Sequence, residues 1–370
     1  MLRLLRGACL FLLACPLALI APSSQATAQS EIVGWGEQVF DSRWSNEAFV
    51  EIAAGWGHTM ARRSDGSAVA WGNNDHGQCN VPALPPGLNY VEMAAGAFHT
   101  VARRSDGSVV AWGDNSYGQC NVPVLPPSLS YVEIAAGATH TLARRSDGSI
   151  VAWGDNLHGQ CNVPALPPGL GYVEVAGGAF HSVARRSDDS VVAWGYNHYG
   201  QSNVPALPPG LSYVEVAAGA THTLARRSDG SVVAWGDNWA GQCNVSAPPP
   251  GSSYVQITAG GYHSIGLRSD GSVLAWGWNS FGQCNVPALP PGLSYVEVAG
   301  GWDHTVARRS DGSVVAWGDN ASGQCNVPAL APGLSYVEAA AGLVHTLARR
   351  SDGSVGAWGY NFHGQCNVPA

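Results

Sequence analysis

Apolar and polar positions recur along this chain with a fixed period of 41 residues. The period is marked by a Trp-Gly pair at the end of an apolar segment, and its copies stand at Trp71, Trp112, Trp153, Trp194, Trp235, Trp276, Trp317 and Trp358. Such a period is typical of repeat architectures, in which one unit buries its apolar face against copies of itself. We therefore interpret these tryptophans as structural, and we expect function to depend on positions at which the copies differ.

Within one copy the pattern predicts short antiparallel strands joined by tight turns. In residues 213–253, "YVEVAA" alternates apolar and polar positions, and "HTLARR" follows after a Gly interruption. The sequence Ser228, Asp229, Gly230 predicts a hairpin turn, and "SVVAWG" predicts a third strand. A short fourth strand is predicted at "QCNV", before a Pro-rich connector. Four short strands in about 40 residues are typical of a propeller blade.

The first strand of each copy is predicted to start at an aromatic residue: Phe49, Tyr90, Tyr131, Tyr172, Tyr213, Tyr254, Tyr295 and Tyr336. Eight copies therefore fill residues 49–370. The predicted fold is all-β, a β-propeller of eight blades, with seven blades as the alternative. Residues 29–48 form a separate N-terminal segment, in which residues 32–36 resemble one more third strand that would help to close the ring. Either Trp35 or Trp358 is expected to serve that closure.

The shared string "AAGxxHTLARRSDGSVVAWGDNxxGQCNVP" resembles the regulator of chromosome condensation repeat in its compact bacterial form. The Gly-x-x-His, Asp-Gly, Trp-Gly-x-Asn and Gly-Gln elements all occur in register, and the resemblance covers nearly the whole chain after residue 28. It implies a β-propeller, a fold that has seven blades in most members of that family.

The N-terminus has the features of an export signal. Arg3 and Arg6 precede an apolar run over residues 8–21, and Ala26 and Ala28 supply a small-x-small cleavage site. The run is short for a membrane span. We expect residues 1–28 to be a signal peptide cleaved after Ala28, and the mature protein to be secreted or periplasmic.

Charge and cysteine content narrow the function further. The chain has no Lys, and after residue 28 it holds 16 Arg against 26 Asp plus Glu. A chain this acidic is not expected to bind nucleic acid. Seven cysteines share the "GQCN" slot, where the fourth copy has Ser202. Because equivalent positions in packed sheets lie too far apart for a bridge, free thiols are expected, with pairing between units as the alternative.

No catalytic or metal-binding constellation is evident. One histidine recurs in every copy: His58, His99, His140, His181, His222, His263, His304 and His345. Equivalent positions spread around a ring cannot converge on one ion, so these imidazoles are expected to satisfy backbone groups beside the Gly turn. Phosphate-loop, nucleophile-elbow and HExxH motifs do not occur. We expect no enzyme activity, no cofactor and no metal.

Two dipeptide slots vary between copies, one in Gly-x-x-His and one in Asn-x-x-Gly. Because alternate turns of an antiparallel meander emerge at the same end of a sheet, both slots are predicted to share one face. Aromatic residues are frequent there: Trp56, Phe98, Tyr117, Phe180, Tyr199, Trp239, Tyr262, Phe281, Trp302 and Phe362. Such residues are favoured at binding surfaces, so this face is the candidate partner-binding site.

The leading functional hypothesis is an exported, non-enzymatic, monomeric propeller that binds a protein through this face. The layout is similar to that of the secreted bacterial propellers that inhibit β-lactamases, which implies protein capture by rigid loops. Carbohydrate binding is the alternative, because aromatic faces also stack on sugar rings. Guanine-nucleotide exchange on a GTPase, as in intracellular family members, is less expected, since the copies carry no inserted β-wedge.

Overall fold

The structure is a computed structural model that describes residues 48–369, and these residues form eight separate three-stranded antiparallel sheets. Each sheet takes its three strands consecutively from one 41-residue unit. The strands are β1 (Phe49–Ala54), β2 (His58–Arg63), β3 (Ala68–Gly72), β4 (Tyr90–Ala95), β5 (His99–Arg104), β6 (Val109–Gly113), β7 (Tyr131–Ala136), β8 (His140–Arg145), β9 (Ile150–Gly154), β10 (Tyr172–Gly177), β11 (His181–Arg186), β12 (Val191–Gly195), β13 (Tyr213–Ala218), β14 (His222–Arg227), β15 (Val232–Gly236), β16 (Tyr254–Ala259), β17 (His263–Arg268), β18 (Val273–Gly277), β19 (Tyr295–Gly300), β20 (His304–Arg309), β21 (Val314–Gly318), β22 (Tyr336–Ala341), β23 (His345–Arg350) and β24 (Val355–Gly359). The predicted signal peptide and the predicted strand at residues 32–36, with Trp35, lie outside the described residues.

The eight units form a ring that closes between the last unit and the first. Within the ring, the indole Nε1 of Trp112 donates to the backbone oxygen of Gln78 in the preceding unit at 3.0 Å. The same bond at the same length joins Trp71 of the first unit to Gln365 of the eighth. In addition, the backbone N–H of Phe49 donates to the oxygen of Gly353 at 2.8 Å. The blade number is therefore eight, and the alternative of seven is wrong.

Each blade has three strands, so the predicted fourth strand at "QCNV" is wrong. In the fifth unit this segment satisfies its backbone locally: Cys243 N–H donates to Asn238 Oδ1 and Asn244 N–H donates to the oxygen of Gly241. The oxygen of Gln242 accepts from the next blade instead, from the Trp276 indole at 3.0 Å and the Ser264 hydroxyl at 2.8 Å. Because these groups are already paired, none remains for a strand ladder.

The hydrophobic core is divided into eight clusters, each lying between two neighbouring blades. In one of them, Val183 and Val191 of the fourth unit pack against Tyr213, Val216 and Trp235 of the fifth. The eighth cluster joins the last unit to the first in the same way. Burying one such large side chain contributes on the order of 2–3 kcal/mol. Because each cluster needs two units, a blade has no complete core of its own.

The first strands of all eight blades are innermost and line a central channel. Its walls are mainly Ala and Gly, and they enclose a cavity of about 190 Å³ at one end and a second of about 210 Å³ farther along. Small side chains suit this position because eight strands must converge around one axis. The wider outer edge of the ring carries the third strands and the Pro-rich connectors.

The seven cysteines of the "GQCN" slot are free, as expected. The Cys243 thiol lies 3.2 Å from the backbone oxygen of Asp237 and donates to it. In the fourth unit, Ser202 donates to the oxygen of Tyr196 at the same distance. Burial raises the pKa of Cys243 to about 12. The slot therefore needs a small hydrogen-bond donor, which explains why Ser replaces Cys there.

Candidate binding face

Both variable turns of each blade lie side by side at one face of the ring, which we call the turn face. Their backbones are joined directly: in the fifth unit, Asp237 N–H of the Asn-x-x-Gly turn donates to the oxygen of Thr221 in the Gly-x-x-His turn at 3.0 Å. The equivalent bond in the second unit joins Asp114 to Phe98 at 2.8 Å. The Ser-Asp-Gly turns emerge at the opposite ends of the strands.

The Asn-x-x-Gly turn is held by its own side chains. Asn238 accepts from Cys243 N–H at 2.8 Å through Oδ1, and its amide nitrogen donates to Asn244 Oδ1 at 2.9 Å. Gly241 adopts a φ of 85°, a conformation that favours glycine. Since these bonds fix the loop without using the two variable side chains, the scaffold presents those side chains rigidly and tolerates their exchange.

The recurrent histidines form a second, buried ring that connects the blades. His222 Nε2 lies 2.9 Å from the hydroxyl oxygen of Ser264 in the next blade, and the eighth unit's His345 reaches Thr59 of the first at 3.0 Å. The Ser264 hydroxyl donates its proton to the backbone oxygen of Gln242, so it accepts a hydrogen bond from His222. The protonated nitrogen is therefore Nε2. The bonding partner is a neighbouring hydroxyl and not the backbone, which corrects the prediction.

Burial keeps these imidazoles neutral. All eight are fully buried, and the loss of solvation lowers the pKa of each to about 3 or 4. Among residues 48–369, no group of three or more His, Cys, Asp or Glu side chains is arranged to hold a metal ion. The histidine ring is thus a seam between blades.

The structure places all ten predicted aromatic residues at the turn face, with different degrees of exposure. Trp239 is 61% exposed and Phe362 is 81% exposed. The others that are exposed are Tyr117, Phe180, Tyr199 and Phe281. Those that are half-buried are Trp56, Phe98, Tyr262 and Trp302. The half-buried residues all come from the Gly-x-x-His slot, which lies nearer the channel.

The half-buried rings are in contact with one another across the channel mouth. Trp56 meets Phe98 with ring centroids 5.7 Å apart, and it meets Trp302 at 5.8 Å. Trp302 in turn meets Tyr262 at 5.5 Å in an edge-to-face arrangement. Tyr262 contacts Trp239 of the preceding blade at 6.2 Å. The contacts unite residues of both variable slots into one continuous aromatic surface.

Three aromatic residues of this face were missed by sequence reasoning: Tyr196, Trp278 and Tyr360. They follow the Trp-Gly pair, a position that holds Asp or Asn in the other five units. Trp278 packs on Trp239 with centroids 4.8 Å apart, and Tyr196 meets His158 of the preceding blade at 4.7 Å. The signal was present in the sequence as a change from a polar to an aromatic residue at one repeat position.

The arginines lie at the opposite end of the blades. In the fifth unit, Arg226 Nε donates to the buried Glu215 carboxylate at 2.7 Å. Arg268 lies over the Tyr254 ring at 5.8 Å. Burial raises the pKa of the paired Glu51, and Arg62 partly opposes this. In each of the seven units that have an Arg-Arg pair, the first arginine is thus paired with a first-strand glutamate.

The fold and the face together define a repeat propeller whose variable surface is separated from its structural residues. The regulator of chromosome condensation (RCC1) repeat model matches eight spans: residues 49–78, 90–119, 131–160, 172–201, 213–242, 254–283, 295–324 and 336–365. The chain therefore belongs to the RCC1 repeat family. No curated protein sequence matches it.

Similar solved structures are RCC1-like propellers. The CRINKLY WD40 ectodomain of the Arabidopsis thaliana receptor kinase ACR4 is 27% identical, with a TM-score of 0.53 over 75% of this chain and 97% of that one. Prp20p from Saccharomyces cerevisiae, described with its binding to Gsp1p and histones, is 20% identical, with a TM-score of 0.55 over 70% and 82%. Human WBSCR16 is 18% identical, with a TM-score of 0.58 over 72% and 88%.

The part of the chain that the structure describes contains no helix long and apolar enough to cross a membrane.

Proposed function

We propose that this protein is an exported, non-enzymatic propeller that binds a protein partner through the turn face. The observation that carries the proposal is the continuous aromatic surface formed by Trp56, Trp302, Tyr262 and Trp239. Large rigid rings bury much area on binding and lose little conformational entropy. The turns beneath them are fixed by local hydrogen bonds, so the surface needs no ordering when a partner docks.

The different roles of the recurrent and the variable residues support binding rather than catalysis. The recurrent histidines, glutamates and Ser-Asp-Gly aspartates are engaged in seams and turns, as His222, Glu215 and Asp229 illustrate. Catalysis requires an unequal, convergent set of reactive groups, whereas the variable slots here hold mainly aromatic, aliphatic and small residues. Prp20p, a protein with a similar fold, is described as binding other proteins.

The test removes two exposed rings and leaves the scaffold intact. Wild-type protein, the double variant Tyr199→Ala and Trp239→Ala, and a control Val124→Ala are used to capture partners from the native envelope and growth medium. Val124 is 92% exposed in a Pro-rich connector, away from the turn face. We expect the double variant to lose its partner by about 30-fold in affinity, the effect of removing about 2 kcal/mol of an interface anchor. Equal capture by all three proteins at equal thermal stability contradicts the proposal.

Two further measurements separate this function from its alternatives. A glycan array tests carbohydrate binding, which predicts retention on specific sugars and loss of that retention in the same double variant. Sequencing the N-terminus of the mature protein outside the cytoplasm tests export, for which we expect Gln29 as the first residue. A protein that stays in the cytoplasm with residues 1–28 intact removes export from the proposal.

A further inference from the structure

Charge is distributed unevenly between the two faces of the ring. Residues 48–369 contain 15 Arg, no Lys and 22 Asp plus Glu, a net charge of −7. All 15 Arg end the second strands or directly precede the Ser-Asp turns, where the first-strand glutamates and the turn aspartates nearly balance them. The turn face carries six aspartates and no arginine: Asp75, Asp114, Asp155, Asp237, Asp303 and Asp319. Nearly the whole excess of negative charge therefore lies on the turn face.

The turn architecture does not require this charge. Asp237 caps its turn by accepting from Trp239 N–H at 3.2 Å. In the first unit the neutral Asn73 occupies the same position and accepts from Asp75 N–H at 3.3 Å. Asp303 stands in the variable slot, where other units have Gly, Phe, Thr, Tyr or Val. Among the described residues, the one basic side chain within salt-bridge distance of these six carboxylates is the half-exposed His76, which lies 4.0 Å from Asp114.

Two of these carboxylates border the tryptophan patch, which we define as Trp239, Tyr262, Trp278 and Trp302. Asp237 and Asp303 are close enough to the Tyr262 phenol to add to the effect of burial in raising its pKa. Asp303 Oδ1 accepts from Gln283 at 3.3 Å, and no described residue forms an ion pair with it. The patch thus combines π faces with unpaired negative charge, the two features that attract a cationic side chain.

The patch is also built into the fold. A Cβ on Gly261 would lie 2.8 Å from Cδ2 of the Trp302 indole, so the indole is seated on a residue that has no side chain. Other units carry Ala, Trp or Leu at this position. Gly261 therefore leaves the space that Trp302 fills, and the indole is held against Tyr262 before any partner arrives.

We propose that the occupant of the tryptophan patch is a basic segment of the partner protein, with Arg or Lys side chains lying over the indoles and their charges directed to Asp237 and Asp303. This inference rests on the proposed protein-binding function and specifies the chemistry of the partner. Charge complementarity across the face steers encounter and excludes acidic partners, while the indoles retain the cationic side chain.

The test uses three defined probes of equal length: peptides that alternate Gly with Arg, with Gln or with Glu. Binding to the full mature chain is measured by calorimetry at 50 and 300 mM NaCl. We expect the Arg peptide to bind at least tenfold more tightly than the Gln peptide, the Glu peptide not to bind, and higher salt to weaken the complex. Equal affinity for the Arg and Gln peptides, or no binding of the Arg peptide at millimolar concentration, overturns the inference.

Matched variants locate the charge. The double variant Asp237→Asn and Asp303→Asn keeps the turns, since Asn73 is the natural equivalent of Asp237 and position 303 varies between units. It is expected to weaken binding of the Arg peptide at least tenfold. The control double variant Asp229→Asn and Asp270→Asn removes two charges from the Ser-Asp-Gly turns at the opposite face, and it should leave affinity within twofold. Equal loss in both pairs indicates a general charge effect and rejects the assigned site.

The two proposals fail in different ways. If the Tyr199 and Trp239 double variant loses the captured partner while the Asp237 and Asp303 double variant keeps it, protein binding at the turn face stands and the basic partner is wrong. If neither double variant changes capture, the turn face itself is wrong.

Discussion

The buried histidine ring predicts that the protein loses stability steeply in mild acid. An unfolded histidine titrates near pH 6.5, whereas burial lowers the pKa of each ring histidine to about 3 or 4 in the folded state. Below pH 6.5 the unfolded chain therefore binds protons that the folded chain does not bind. Because stability falls with decreasing pH wherever the unfolded state binds more protons, the sign is a loss in acid.

The size of the effect follows from the number of histidines. Near pH 5.5 the unfolded chain carries about seven more ring-histidine protons than the folded chain, and each proton corresponds to about 1.4 kcal/mol per pH unit. The histidines alone therefore predict a loss of about 10 kcal/mol between pH 6 and pH 5. This is comparable to the whole stability of a typical domain, about 5–15 kcal/mol.

Buried glutamates act in the opposite direction. Burial raises the pKa of four of them, Glu51, Glu92, Glu297 and Glu338, the last to about 7. In the folded chain these glutamates take up protons as the pH falls, so they reduce the proton difference between the unfolded and folded chains by at most four between pH 6 and pH 5. Asp303, whose pKa is also raised by burial, can offset one more proton, so a net loss of at least about 3 kcal/mol per pH unit remains. The turn aspartates, whose pKa is lowered by hydrogen bonds from Ser side chains, add a further loss only below pH 4.

Equilibrium urea unfolding at pH 6.0, 5.5 and 5.0, followed by tryptophan fluorescence and circular dichroism, measures this slope. The variant His222→Gln, which keeps a donor toward Ser264, is expected to lower the slope by about 1.2 kcal/mol per pH unit because one titrating group is removed. Thr223→Ser is the control, since Ser264 already occupies the equivalent position and donates in the same way. A free energy of unfolding that is constant or larger at pH 5 than at pH 6 refutes the reasoning.

Two further predictions concern the backbone. A Cβ at Gly219 would lie 2.4 Å from His222 Cε1 and 2.9 Å from the oxygen of Gly260, so Gly219→Ala should lower the free energy of unfolding in urea by about 3 kcal/mol. Gly171→Ala should lower it by less than about 1 kcal/mol, because the atom nearest to a Cβ at that position is 3.4 Å away. Equal effects of the two substitutions contradict the packing argument. Asp189 has a φ of 63° at a position where the equivalent turns have glycine. Asp189→Gly should therefore stabilise the protein by about 0.5–1 kcal/mol, although it removes the exposed 2.8 Å ion pair with Arg185. A lower melting temperature of the variant would reject this prediction.

The strand pattern could be predicted from the sequence because period, alternation and turn chemistry agree. The predicted starts of the first strands, from Phe49 to Tyr336, are the observed ones. Where Asp188 and Asp189 replace the usual Asp-Gly pair, the turn is retained and Asp189 adopts the positive φ. The prediction of a fourth strand was wrong, because apolar alternation such as that in "QCNV" indicates a strand only where backbone groups need hydrogen-bond partners. In this segment the backbone groups already bond to Asn238 and to the next blade.

The candidate site was less predictable, because its contacts lie between units and one of them joins units that are not neighbours. Trp56 and Trp302 belong to the first and seventh blades, and they meet only because the ring closes and both side chains lean over the channel mouth. No local pattern reports such a contact. The position of Trp278 was also missed, since its equivalents are mainly turn-capping aspartates and the aromatic replacement looks like variation within a turn.

The same duplication explains why this face can diversify without loss of the fold. The seams between blades depend on residues that recur, such as the Trp235 indole that donates to the oxygen of Gln201 at 2.9 Å. Side chains of the variable dipeptides take part in few bonds between blades, such as the bond from Gln283 to Asp303 and the contact between His363 and Asn73. A substitution such as Ala to Trp in a variable slot therefore changes the surface at little cost to stability, provided that a neighbour leaves room, as Gly261 does for Trp302. In the proposed function, one determinant of specificity is therefore the pair Gly261 and Trp302 in adjacent blades, in which one residue makes space for the side chain that the other projects.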